Sequence, residues 1–280
     1  MKWNTAAGPR YTHRKQVAQR MSNLSLHREL SIHVLETTEQ MGSEAALRAA
    51  DLIREAIREQ GWARLVFSAA NSQLPMLERL TSFSDINWKR VEIFHVDEYC
   101  GMAATHPASF GGWIRRNLDD RVHPAKVNYL SGDAPDIAAE CQRYGELLAA
   151  APIDISFLGF GENGHIGFND PHEADFADPC RVRAVTLDAR CRLQQVNEGH
   201  WPGLDAVPAV GLTLTCPTLV DARYIICCVP GPTKAEAVRN AVEGPVSPTC
   251  PGSLLRTHSH AHLYLDLESA SLLSEEVLRR

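Results

Sequence analysis

Residues 159–170, Gly-Phe-Gly-Glu-Asn-Gly-His-Ile-Gly-Phe-Asn-Asp, bring an amide (Asn163), an imidazole (His165) and a carboxylate (Asp170) into one short stretch, with three glycines in its first six residues. His165 is the side chain here whose ordinary pKa lies near neutrality. A carboxylate close by in sequence can orient such a ring, which makes His165 and Asp170 a candidate acid–base unit. The glycines allow positive φ and let the backbone approach a ligand closely. The plainer alternative is a histidine whose ring bonds to its own loop.

Two further stretches carry candidate groups. Asp97 and Glu98 follow an apolar run. Adjacent residues on an extended backbone point to opposite sides, so one can act as a base while the other serves as a structural acceptor. An exposed acidic pair is the alternative. Lys234 follows Gly231-Pro232-Thr233 where a helix is predicted to begin. A cation is disfavoured at a helix N-terminus, where the macrodipole is positive. The placement makes sense if an anion such as phosphate sits between them, and a solvated lysine is the competing reading. Ser72, with the backbone N–H groups beside it, can supply the other side of a phosphate pocket. His258, His260 and His262 share one face if extended, but no cysteine or carboxylate lies at close metal-ligand spacing, and no metal is assigned.

These groups need a scaffold. Short apolar runs predict strands at Ile32–Leu35, Leu65–Phe67, Val91–Val96, Val127–Leu130, Ile153–Leu158, Tyr224–Val229 and Ala261–Leu267. Between them, three- and four-residue spacing predicts helices. The first runs from an N-cap at Ser43 to Gly61, and others cover Pro75–Leu80, about 108–118, Ala138–Ala150 and Ala235–Val242. Alternating strands and helices imply an α/β fold: a mostly parallel, doubly wound, Rossmann-like sheet with helices on both faces. In such a sheet the residues following the strand ends line one edge, which gathers Ser72, Asp97, the 159–170 stretch and Lys234. Residues 1–30 are predicted to be an N-terminal extension, and 31–280 a single domain. Within it, the polar 172–208 stretch has no clean period and reads as a loop-rich lid.

The 280 residues are 44% hydrophobic, enough for a sizeable core. A net charge of −6 argues against nucleic acid or an anionic membrane as partner. No apolar run approaches the ~20 residues that span a bilayer, and residues 1–20 lack the apolar segment of a secretory signal. Eight irregularly spaced cysteines without a CxxC pair read as reduced thiols of a cytoplasmic protein.

Several runs together resemble the isomerising glucosamine-6-phosphate deaminase family. They are Val96-Asp97-Glu98-Tyr99, His106-Pro107-x-Ser109-Phe110, and Gly159-x-Gly161-x-Asn163-Gly164-His165-Ile166-Gly167-Phe168-Asn169. Pro208-Ala209 then precedes Gly211-Leu212-Thr213, and Gly231-x-x-Lys234-Ala235, Val242-Glu243-Gly244 and Ser253-x-Leu255-x-x-His258 follow. The resemblance covers about residues 30–270. The Gly-His-Ile-Gly-Phe-Asn run separates the chain from the related 6-phosphogluconolactonases, which share the fold. Those carry a different run after Gly-His and usually an arginine where Tyr99 stands.

The resemblance implies a cofactor-free conversion of glucosamine 6-phosphate to fructose 6-phosphate and ammonia, with a sugar phosphate as the small-molecule partner. Asp97 is then the base that moves the C2 proton. His165 assists ring opening, tuned by Asn163 and Asp170. Lys234 holds the phosphate, and Ser72, Ala70, Asn71 and Gly164 complete the binding set. A family arginine in the 188–195 stretch corresponds to Arg190 or Arg192. The resemblance admits a homo-oligomer and places Arg181 and Arg183 at the effector-phosphate position of allosteric members; a solvated basic strand is the alternative. Two departures stand out. Asp170 replaces a glutamate one methylene longer, and Ala69-Ala70-Asn71-Ser72-Gln73 replaces a Gly-rich phosphate loop. They leave open a non-catalytic sugar-phosphate sensor and a lactonase-like hydrolase.

Overall fold

A computed structural model describes residues 30–279 apart from Glu198 and His200. The extension expected at 1–30 therefore lies, Leu30 excepted, outside the described residues. Seven strands form one parallel sheet: β1 (Ser31–Leu35), β2 (Ala63–Phe67), β3 (Val91–His95), β5 (Lys126–Asn128), β6 (Ile153–Leu158), β9 (Ala222–Val229) and β10 (Ala261–Asp266), in the order β1-β10-β9-β6-β2-β3-β5. Both faces are covered, as the near-continuous apolar strands predict. Leu65 and Phe67 enter one hydrophobic cluster while Val66 between them enters the other, and Cys228 and Cys227 divide the same way. This is the period-2 alternation of a strand packed on both sides.

The principal helices are α1 (Thr38–Gln60), α2 (Leu74–Thr81), α3 (Phe110–Ile114), α4 (Ile137–Ala149), α5 (Ala189–Asn197) and α6 (Ala235–Glu243). α1 starts earlier than expected. Its cap is Thr37, whose hydroxyl accepts the Gln40 N–H at 3.2 Å, and Ser43 lies inside the helix. Gly42, also inside the helix, lets α2 approach, since a Cβ there would lie 2.5 Å from the Pro75 side chain. At the other end Gly61 caps α1 in the left-handed region, as predicted.

A second, three-stranded antiparallel sheet was not anticipated. It joins β4 (Asp97–Tyr99), β8 (Val210–Leu214) and β7 (Val182–Thr186) in the order β4-β8-β7. The 172–208 stretch is thus not uniformly loop: it contains β7 and α5. The helix escapes periodicity because the side chains it buries, Cys191, Gln194 and Gln195, include two polar amides.

Candidate active site

Three adjacent strands of the large sheet, β9, β6 and β2, end beside one another and lead into residues 231–234, 159–170 and 68–73. β3 leads into Asp97, where the chain leaves the large sheet for the small one.

The 159–170 loop is built around the His165 ring. Its Nδ1 lies 2.7 Å from Asn163 Oδ1 and 3.2 Å from Asp170 Oδ1. Both neighbours are acceptors, so Nδ1 carries the hydrogen and Nε2 is left to exchange a proton with a ligand. Asn163 joins the two: its Nδ2 donates to Asp170 Oδ1 at 2.9 Å, and its Oδ1 also accepts the His165 N–H at 3.1 Å. The shorter acid at position 170 therefore still reaches the ring. Asp170 is fully buried. Burial pushes its carboxyl pKa up, but hydrogen bonds from His165 and Asn163 outweigh that, and the carboxyl stays below its ordinary value. Gly161 makes room for the ring, because a Cβ there would sit 2.0 Å from His165 Cε1. Gly164 sits at φ 83°, where a side chain would also meet Cys250 Sγ at 2.7 Å.

Asp97 and Glu98 are both buried and have different jobs. Glu98 caps α3: it accepts from Ser109 Oγ at 2.6 Å and from the N–H groups of Phe110 and Gly111 at 3.1 and 2.9 Å. Burial first, and then the neighbouring Glu98 carboxylate, push the Asp97 carboxyl well above the usual range. That combination makes the Asp97 carboxylate a stronger base than an ordinary one. His95, read in the sequence only as part of an apolar strand, fixes its backbone. The Leu130 N–H donates to His95 Nε2 at 2.9 Å, so Nδ1 carries the hydrogen and donates to the Asp97 carbonyl at 3.0 Å.

The small sheet brings Asp97 to the His165 loop. Asp97 pairs in register with Thr213 on β8, and Thr213 Oγ1 accepts the Phe168 N–H at 3.1 Å. A Cβ on Gly167 would meet Val96 at 2.6 Å, so the loop lies directly on the residue before Asp97. The Cys191 thiol of α5 feels both the Asp170 and the Asp97 carboxylates.

Ser72 belongs to a 3₁₀ turn at Asn71–Gln73, and Ala70 before it is extended. Asn71 does not adopt the left-handed conformation that would replace a glycine; among described non-glycine residues only His123 has positive φ. Gln73 anchors the loop instead. Its Nε2 donates to Ser72 Oγ at 3.2 Å and to the carbonyls of Leu158 and Cys228, at the ends of β6 and β9, at 3.1 and 3.3 Å. Gly159 leaves space beside it, since a Cβ there would lie 3.3 Å from Ser72 Oγ. Lys234 is buried at the end of the turn after β9. The carboxylate of Asp266 accepts the Gly231 N–H at 3.0 Å and holds that turn.

The remaining candidates separate. Arg190 donates to the Glu162 carbonyl at 3.3 Å and so reaches the 159–170 loop. Arg192 is bound to the carbonyls of Leu204 and Val207, at 2.7 and 2.9 Å. Arg181 pairs with Asp221 at 3.6 Å, and Arg183 pairs with Asp178 and Glu173 at 3.0 and 3.2 Å. The three histidines do not converge: His258 Nε2 donates to the Ala222 carbonyl at 2.8 Å, whereas His262 Nδ1 lies 3.2 Å from His33 Nε2. Two overlapping groups have metal-capable donors within 4.8 Å of one another, His165–Asp170–Cys191 and Asp170–His172–Asp188. His165 Nδ1 and Asp170 Oδ1 are already engaged with each other and with Asn163, an arrangement suited to moving a proton. All eight cysteines are free thiols.

The family of glucosamine-6-phosphate isomerases and 6-phosphogluconolactonase matches residues 36–264. A glucosamine-6-phosphate deaminase of Pseudarthrobacter chlorophenolicus is 37% identical over 230 residues, covering 80% of this chain and 87% of that one. Among solved structures, a monomeric glucosamine-6-phosphate deaminase superposes with a TM-score of 0.79 at 30% identity, covering 87% of this chain and 100% of that one. A 6-phosphogluconolactonase from Shewanella baltica, at 20% identity and a TM-score of 0.71, shares the fold over 86% of this chain and 100% of its own.

Proposed function

This chain belongs to the glucosamine-6-phosphate isomerase/6-phosphogluconolactonase family, and within it we propose that the protein is an isomerising deaminase. It converts glucosamine 6-phosphate and water to fructose 6-phosphate and ammonia. Relatives named as this deaminase, at 37% and 30% identity over most of the chain, support the substrate. The observation that carries the mechanism is the pairing of a buried, proton-avid Asp97 with the neighbouring His165–Asn163–Asp170 relay.

The phosphate rests on Lys234, Ser72 and the backbone of Ala70 and Asn71, and Gly164 keeps the loop clear of side-chain bulk. Binding that remote group fixes the sugar for reaction. His165 Nε2 takes the proton of the anomeric hydroxyl and returns one to the ring oxygen, which opens the ring. Asp170 and Asn163 hold the Nδ1–H tautomer and stabilise the imidazolium that forms. Asp97 then takes the C2 proton and delivers one to C1, converting the amino aldehyde through an enolamine into the ketone imine. Water adds to the imine carbon and ammonia leaves. A carboxylate raised by burial is a stronger base than one in water, which suits it to this proton.

Ammonia release from glucosamine 6-phosphate tests this reading. Wild type turns over, and Asp97→Asn loses at least ~10²-fold in kcat, the scale of a lost acid–base group. A wild type that releases no ammonia sinks it. No helix among the described residues is long and apolar enough to cross a membrane, and the free thiols suit a reducing compartment, so we place the enzyme in the cytoplasm.

A further inference from the structure

The hydrogen bonds to Asp170 are unevenly shared. Oδ1 accepts from Asn163 Nδ2 at 2.9 Å and lies 3.2 Å from His165 Nδ1. Oδ2 faces the Asp188 N–H at 3.5 Å, the outer limit of a hydrogen bond. An ionised carboxylate has about four lone-pair sites, and a buried acceptor left short of donors is destabilised.

The Cys191 thiol lies beside this carboxylate. Its Sγ, a carboxylate oxygen of Asp170 and a ring nitrogen of His165 all lie within 4.8 Å of one another. The side chain is buried in the first turn of α5, and the turn is fixed because the Cys191 N–H donates to Asp188 Oδ1 at 2.6 Å. Burial, then the Asp170 and Asp188 carboxylates, push the thiol pKa far up, so it keeps its hydrogen and is a donor, not a nucleophile. From either side of Cys191, α5 also grips the other end of the same loop. Gln194 Oε1 accepts the Glu162 N–H at 3.3 Å, and Arg190 donates to the Glu162 carbonyl at the same distance.

We propose that Cys191 is a positioning residue whose thiol donates a hydrogen bond to Asp170 and so holds that carboxylate against His165. The inference rests on the acid–base role given to His165 above. The titratable groups around the carboxylate are His165, Cys191, His172 and Asp188, with Asp97 beyond the thiol.

Two measurements separate this inference from the deaminase reading. The first needs no turnover. The S–H stretching band of Cys191 is isolated by infrared difference between wild type and Cys191→Ser. It lies below that of an unbonded thiol and moves up in Asp170→Asn. A band at the unbonded position, or one that ignores Asp170→Asn, overturns the proposal. The second is the pH profile of ammonia release. Losing a donor makes the carboxylate bind its proton more tightly, so Cys191→Val shifts the acid limb of kcat upward by roughly half to one pH unit with KM unchanged. Cys191→Ser keeps a donor and restores the wild-type limb. An acid limb unmoved in Cys191→Val overturns the positioning role. A wild type without deaminase activity overturns the functional reading instead, and the infrared pair still decides whether the bond exists.

Discussion

Replacing Asp97 by Asn removes the proposed base and, at the same time, a buried charge. The two consequences have opposite signs. The Asp97 side chain is buried beside Glu98, and burial followed by that like charge holds its carboxyl well above the ordinary value. In the unfolded chain it ionises near pH 3.9. Folding therefore favours the protonated form, and wild-type stability falls as pH rises from about 4 until the folded carboxyl also ionises. Each tenfold preference for the protonated form corresponds to about 1.4 kcal/mol. An amide of the same shape carries no charge and escapes that penalty. Asp97→Asn is thus the more stable protein at pH 8 by at least about 1 kcal/mol, with a smaller advantage at pH 5. In a chain of this size that is roughly 2–4 °C in Tm. Thermal unfolding of both proteins at the two pH values, beside the ammonia assay, reads both effects. An inactive variant that is no more stable at pH 8, or whose advantage shrinks as pH rises, refutes the argument. Asp97 would then be an ordinary ionised carboxylate, and the transfer of the C2 proton would lack its strong base.

Three further substitutions probe the other parts of the site. Gly161→Ala places a methyl 2.0 Å from His165 Cε1 and displaces the ring; kcat for ammonia release should fall on the order of 10²-fold, and an unchanged kcat would show that ring placement is immaterial. Glu98→Ala leaves Ser109 Oγ and the first N–H groups of α3 without their buried acceptor. It should lower stability by roughly 2–3 kcal/mol, and denaturation at the wild-type midpoint would contradict the capping role. Lys234→Ala should raise KM for glucosamine 6-phosphate by about 10- to 100-fold, the value of a charge-assisted bond, with kcat changed much less. Equal inhibition of both proteins by inorganic phosphate would remove Lys234 from the anion site.

Much of this was legible in the residues themselves. The apolar runs at 153–158 and 224–229 read as strands covered on two faces, and the stretch after Leu158 held a histidine and its acid in a glycine frame. Local chemistry decided these features, because hydrophobic period and glycine content act over a few residues. Other features depended on partners far away in sequence. Local pattern places the start of α1 at Ser43, but Thr37 caps it and Gly42 lies inside, packed on Pro75. The adjacent Asp97 and Glu98 could not be told apart until Ser109 and the start of α3 claimed Glu98. The pairing of β4 with β8 links residues more than a hundred positions apart, and α5 buries amides and a thiol where a pattern search looks for an apolar stripe.

Composition and local pattern were thus enough for the class of fold, the strand ends that would carry chemistry and the identities of Asp97, His165, Asp170 and Lys234 as candidates. Only the tertiary structure decided that Asp170 still reaches the His165 ring with Asn163 bridging them, and that Gln73 anchors the glycine-free 69–73 loop. It also decided that a thiol stands behind the acid–base pair. The reason is physical. Apolar burial leaves a periodic trace in the chain, whereas a hydrogen bond between buried polar groups depends on distances that the fold sets and that no spacing along the chain records.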